Sequence, residues 1–315
     1  MPKTFLTLLV IFYLGCSCVQ AQQSDYLSDV RKEKLSEENR TAVQERMESI
    51  KKELETLEDH PWAGNYGITG FLGPDLHLAI APKSGFAYTW RSGDVLMSRM
   101  VNGQRVTEPS LGDQNYGDVI WEDGHLKLSP VLSVATSLGP LPTEFVPIPW
   151  DKRICLVPPD KIIDFCNKVN RANPEYFGGF DFFSRNTQKL PQFDTERPKP
   201  TGKPEVPEKF KPYLLQEPID GEVIGIGETR EVRKRMYGVM DMNVKETVVT
   251  INRGSRDGLL PDMELCKTLK TEKTARIFVI QLTKVSETES EGIVVWHLDE
   301  EPPQIGWSVS TKARW

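Results

Sequence analysis

Cysteine, histidine and long apolar runs are all scarce in this chain of 315 residues. Of five cysteines, Cys16 and Cys18 lie near the start, leaving Cys155, Cys166 and Cys266. An odd set of three does not form a disulfide framework, so each is read first as a small buried hydrophobe. The four histidines, His60, His77, His125 and His297, are far from one another. None stands in a recognised zinc-ligand spacing, so no metal or other cofactor is expected. No nucleophile elbow surrounds Ser84, and Gly225-Ile-Gly227 lacks the third glycine and the Lys-Ser/Thr pair of a phosphate cradle. Paired carboxylates such as Glu122-Asp123 are plentiful in turns and single out no acid and base. A formal net charge of −6 supplies no basic face for phosphates, which argues against a nucleic-acid partner.

What the sequence does contain begins with a leader. Lys3, the apolar run Phe5 to Leu14 and the small-residue exit Val19-Gln20-Ala21 have the order of a cleaved secretory signal peptide over 1–21. The apolar run is too short to span a bilayer, and no later run is long enough. A secreted or periplasmic protein with no transmembrane span after cleavage is expected. Leu14-Gly15-Cys16 also resembles the end of a bacterial lipoprotein signal, departing from it at Tyr13, so a lipid anchor through Cys16 stands as the alternative.

Residues 22–60 are rich in charge, with Val43, Met47, Ile50, Leu54 and Leu57 on one narrow helical stripe. The stripe covers barely two heptads. Docking on a neighbouring domain is therefore expected, not strong homo-oligomerisation. Asn39-Arg40-Thr41 is an N-glycosylation sequon. Pro61 ends the helix.

From 61 to 189 the pattern changes to short apolar-aromatic runs separated by turn signals such as Lys83-Ser84-Gly85, Asn102-Gly103 and Asp123-Gly124. Asp-Gly between alternating runs predicts a two-residue hairpin loop. Strands at this spacing predict an antiparallel β-barrel-like domain. Pro158-Pro159-Asp160 opens a packed helix over 159–170, whose Cys166 could bridge Cys155 on the preceding strand. Six prolines among lysines and glutamates make 190–216 an extended linker. Residues 217–315 read as a second small β-domain, with strands near 223–226, 247–251, 264–269, 276–282, 292–296 and 307–310. The chain is thus mainly β, in two barrel-like domains.

The residues Trp62-Ala63-Gly64-Asn65-Tyr66, Ile80-Ala81-Pro82, Gly85-Phe86, Asp123-Gly124, Asp164-Phe165-Cys166-Asn167 and Val169-Asn170 resemble an uncharacterised family of secreted bacterial proteins. That family has no assigned activity to carry over. The Trp-x-Gly-x-Tyr opening also looks like the first strand of lipocalin-type barrels. Val248 to Gly254, with Gly258 and Met263, resembles small periplasmic β-barrels of envelope-assembly proteins, departing from them at Asp262 and at Trp307 after Gly306. The resemblance implies protein partners. A non-catalytic interaction protein of the envelope or extracellular space is the expectation. The alternative is a carrier or sensor holding an apolar ligand against Trp62, Phe86, Trp90 and Trp121.

Overall fold

A computed structural model describes residues 33, 35–58, 60–68, 75–91, 98–101, 104–107, 111–133, 142–171, 183–186, 200–236, 240–270, 275–297 and 301–313. The expected leader 1–21, the lipid-anchor alternative at Cys16, and 190–199 of the expected linker lie outside them. The architecture is mainly β, with a curled antiparallel half-barrel sheet, a second ring-like sheet and a helix packed on the sheet. Two compact units divide the chain after Phe145. Among the described residues no helix is long and apolar enough to cross a membrane.

The first unit begins with helix α1 (Glu37–Thr56). Ser36 caps it by accepting from the Asn39 backbone N–H at 3.3 Å, and Glu37 and Glu38 complement the positive end of the helix dipole. Strands β1 (Gly64–Ile68), β2 (Asp75–Ala81) and β3 (Gly85–Arg91) follow. Next come the separate hairpin β4 (Ser98–Val101) and β5 (Gln104–Thr107), then β6 (Leu111–Glu122) and β7 (His125–Pro130). β1, β2, β3, β6 and β7 pair successively as an antiparallel meander, and β7 pairs with the start of β8 (Glu144–Trp150) at Phe145. Asp123 and Gly124 both have positive φ, 51° and 77°, as the tight β6–β7 loop demands.

Alternation along the strands gives this sheet two unlike faces. The outer one offers Ala79, Ala81 and Ala87, and these short side chains leave room for Val43 and Ile50 of α1. Arg46 and Glu53 then grip the β2–β3 turn. The Arg46 guanidinium donates to Ser84 O at 2.8 Å, and the Glu53 carboxylate accepts from the backbone N–H groups of Lys83 and Ser84 at 2.9 and 2.7 Å. The helix therefore docks on the sheet through the stripe visible in the sequence. The inner face carries Tyr66, Leu78, Ile80, Phe86 and Tyr88, all buried.

In the second unit β8 continues into β9 (Arg153–Val157), with β10 (Phe183–Asn186) pairing to β9. Helix α2 (Ile162–Asn170) buries Ile162, Phe165 and Cys166 against Ile148, Trp150 and Val157. The second barrel is closed, in the order β11 (Asp220–Met236), β12 (Met240–Ile251), β15 (Ser290–His297), β14 (Ala275–Val285), β13 (Glu264–Lys270), β16 (Ser308–Ser310). Its interior is filled by Val249, Ile251, Leu265, Phe278, Ile280, Val294, Trp296 and Trp307.

The described part of the expected linker is not a free spacer. Trp150 Nε1 donates to Gly202 O, Thr201 bonds Asp151, and Glu205 N donates to Pro149 O at 2.8 Å. Val206 is buried, and Phe210, Tyr213 and Leu214 pack on the α2 cluster. α2 is in turn fastened to the second barrel. Asn167 Nδ2 donates to Asp262 O at 2.8 Å, its Oδ1 accepts from Glu264 N at 3.2 Å, and Arg171 pairs with the Glu264 carboxylate at 2.7 Å. The compact units accordingly divide before α2, whereas the prolines suggest a division after it.

Candidate functional site

Cross-strand pairing places the four aromatic residues expected to line a ligand site. Phe86 faces Gly117 and Trp90 faces Asp113, while Trp121 lies further along the same face of β6. Asp113 and Trp121 are eight residues apart, about 26 Å along a strand. Trp90 and Trp121 therefore occupy opposite ends of β6 and do not surround one pocket. Trp62 joins the Trp121 end, stacked on it with centroids 5.9 Å apart and with His60 edge-on at 4.6 Å. Trp62 and Phe86 are buried, whereas Trp121 is 46% exposed.

Polar groups collect at the Trp90 end. The Tyr88 hydroxyl donates to Asp113 Oδ2 at 2.9 Å, and the Gln114 backbone N–H donates to Asp113 Oδ1 at 2.8 Å. Burial, and then the Asp113 carboxylate, push the Tyr88 phenol upward, so it stays a protonated donor. Asn115 is fully buried and secures Leu132 through both ends of its amide. Trp90 Nε1 is buried and has no hydrogen-bond partner among the described residues. An N–H left in that state costs the desolvation of the group. Periodicity could not reveal this polar set, because Asp113 to Asn115 are unremarkable as letters.

Cys155, Cys166 and Cys266 are free, buried thiols, and the Cys155–Cys166 bridge does not form. Burial pushes each thiol up to about 12, which removes the reactive thiolate. His77 is exposed, His125 Nδ1 lies 2.7 Å from Glu144 Oε1, and His60 Nδ1 accepts from Ala63 N. The His297 side chain lies outside the described residues. Among the described residues no group of three His, Cys, Asp or Glu could hold a metal ion.

An exposed apolar feature lies on the second barrel. β16 pairs with β11 only over Asp220 to Glu222, and Val223 exchanges hydrogen bonds with Gly306 and Trp307. Beyond that point β11 continues to Met236 with β12 as its one paired strand among the described residues. Ile224 and Ile226, 41% exposed, follow Val223 on this edge, and Ile305, 66% exposed, precedes Gly306 beside it. Bulges at Val223/Gly225 and Ile226/Thr229 interrupt the pairing with β12.

Charge fixes the strand from behind. Arg230 and Lys234 both pair with the Glu246 carboxylate, which is buried. The hydrogen bond from Lys234 leads in holding Glu246 below the usual carboxylate range, outweighing the effect of burial. Thr229 Oγ1 shares a hydrogen bond of 2.9 Å with Thr247 Oγ1, which also accepts from Trp296 Nε1. The geometry offers a supported row of backbone donors and acceptors. The sequence held one signal of it: Ile224-Gly-Ile-Gly227, apolar residues alternating with glycine, continues straight into a charged run.

Compared with protein-family models, curated proteins and solved structures, the chain matches none of them.

Proposed function

We propose that this chain is an exported, non-catalytic interaction protein of the cell envelope or extracellular space, working through the edge of β11. One observation carries the reading: beyond Val223 a long strand leaves a closed barrel with β12 as its one paired strand among the described residues, and with Ile224 and Ile226 exposed along it. Edges of this kind are ready templates for another strand, and proteins usually protect them with lysine, proline or short length. Strand addition supplies affinity through the main chain and specificity through alternate side chains. The likeness of Val248 to Gly254 to small envelope-assembly barrels supports the same reading.

Ile224→Lys combined with Ile226→Lys tests it. Both positions are exposed, so the fold should tolerate the change within about 0.5 kcal/mol. Affinity capture from envelope fractions should lose its partners with the double variant. An unchanged set of captured proteins would overturn the reading.

The buried Trp90 Nε1 beside Asp113, without a partner among the described residues, favours one second reading, a ligand on the inner face of the first sheet whose acceptor atom meets this N–H. Saturable displacement of a fluorescent lipid, abolished by Trp90→Phe, would establish it; unsaturable displacement removes it.

A further inference from the structure

We infer that the tip of the β6–β7 hairpin is a further docking surface, taking an arginine of a basic partner segment flat against Trp121. It shares the interaction reading above and uses no residue of the β11 edge. β3 pairs with β6 only as far as Gly117. Past that point, Asp118 to Glu122 have β7 as their one paired strand among the described residues. Ile120 and Trp121 are both exposed on this extension.

Trp121 is also held from behind. One face of its indole lies on the buried Trp62, the two planes only 27° from parallel. The His60 ring that abuts Trp62 is itself fixed, since its Nδ1 accepts from Ala63 N at 3.1 Å. Directly across the hairpin from Trp121 stands Leu126, fully buried. An aromatic side chain ordered in advance is bound at little entropic cost. Tryptophan is also among the residues enriched where a few side chains carry an interface.

Charge selects the occupant. Glu122 and Asp123 lie at the tip and Glu144 on the adjoining strand, against the single lysine Lys127. The hydrogen bond from Lys127 leads in holding Glu122 below the usual carboxylate range, so it is ionised at neutral pH. His125 takes up Glu144, whereas Asp123 is exposed in the turn, next but one to Trp121. An indole face open beside carboxylates attracts a cation over the ring. Arginine suits the geometry better than lysine, because its planar head stacks on an aromatic face and its N–H fork can meet a carboxylate such as Asp123. An anionic partner would meet the same carboxylates as repulsion.

Titration calorimetry of the full-length protein with a hexa-arginine peptide tests this, with hexalysine as the control for charge alone. Hexa-arginine should bind saturably, and more tightly than hexalysine. Trp121→Ala should weaken it about tenfold, Trp121→Phe should retain part of the affinity, and Asp123→Asn should narrow the preference for arginine. Circular dichroism confirms that each variant is folded, and the phenylalanine variant keeps an aromatic ring on Trp62. No saturable binding at about 1 mM peptide, where even a contact of about 4 kcal/mol would register, overturns the inference. Equal binding of the two peptides, or indifference to both Trp121 variants, overturns it too, because only net charge would then be at work. The double variant Ile224→Lys, Ile226→Lys should bind hexa-arginine as the unmodified protein does; loss there would assign the peptide to the β11 edge and remove the hairpin site. Failure of the peptide to bind leaves the β11 reading to its own capture experiment.

Discussion

Replacing Ile50 by alanine should release α1 from the sheet while the strands persist. Ile50 is fully buried and Val43 nearly so, and together they form most of the apolar contact with Ala79, Ala81 and Ala87. An Ile→Ala change in a packed site costs about 2–5 kcal/mol, the spread reflecting how far neighbours can collapse. Here the floor consists of methyl groups on paired strands, which cannot move into the space. Met47 and Leu54 are partly buried at its margin and could reach only part of it. The upper half of the range, about 3–5 kcal/mol, is therefore expected. Amide exchange across 37–56 is the appropriate assay, because it isolates the helix from the barrels. Protection there should fall by about two orders of magnitude or more, while β2 and β3 keep theirs. Lys51→Ala, on the exposed side, should change little. Protection unaltered by Ile50→Ala would show that the alanine face is not what holds this helix.

Burial alone would raise the Glu53 carboxyl, but the hydrogen bonds from Ser84 and from the Lys83 and Ser84 backbones outweigh it and lower the group. A depressed carboxylate stabilises above its unfolded pKa and loses that contribution as pH falls through the folded value. Exchange of α1 amides should therefore quicken on acidification below the ordinary carboxylate range, and Glu53→Gln should flatten that dependence. Glu264 is the opposite case, since burial raises it and Arg171 only partly counters the effect. Arg171→Leu should destabilise the second unit by about 3–5 kcal/mol at neutral pH, with the loss shrinking toward acid as Glu264 protonates; a denaturant midpoint deficit independent of pH would contradict this. Mass spectrometry after alkylation should find Cys155, Cys166 and Cys266 unmodified in the folded protein and labelled in denaturant, and labelling of any of them under native conditions would refute the burial argument.

Local chemistry was legible in the sequence wherever it was sufficient to fix structure. The β6–β7 loop is dictated by Asp123-Gly124, and the docking stripe of α1 by the spacing of Val43 and Ile50. The segment around Val206 misled because its four apolar residues are diluted by proline and lysine. Their burial depends on Trp150 and Phe165, which no local window contains. The same holds for Asn167, a polar residue on an apolar helix that reads as a defect until Asp262 and Glu264 arrive from the second barrel. The four aromatic residues read alike in sequence, and only strand register shows that Trp90 and Trp121 lie at opposite ends of β6. The edge of β11, paired beyond Val223 with β12 alone among the described residues, escaped notice because it arises from a mismatch: seventeen residues in one strand against three in its neighbour β16.

That three-residue strand also sets the tempo of assembly. β16 joins β11 to β13, and the Ile219 backbone N–H, just before β11, donates to the Thr311 hydroxyl, 92 residues later in the chain. The meander from β11 to β15 can zip by short steps, but the ring stays open until Ser308 to Ser310 are delivered. Contacts that span so much sequence form late, after the loop entropy has been spent. A chain emerging stepwise would hold its barrel unsealed until Ser308 to Ser310 emerged, with Val223 and Cys266 awaiting the same short segment.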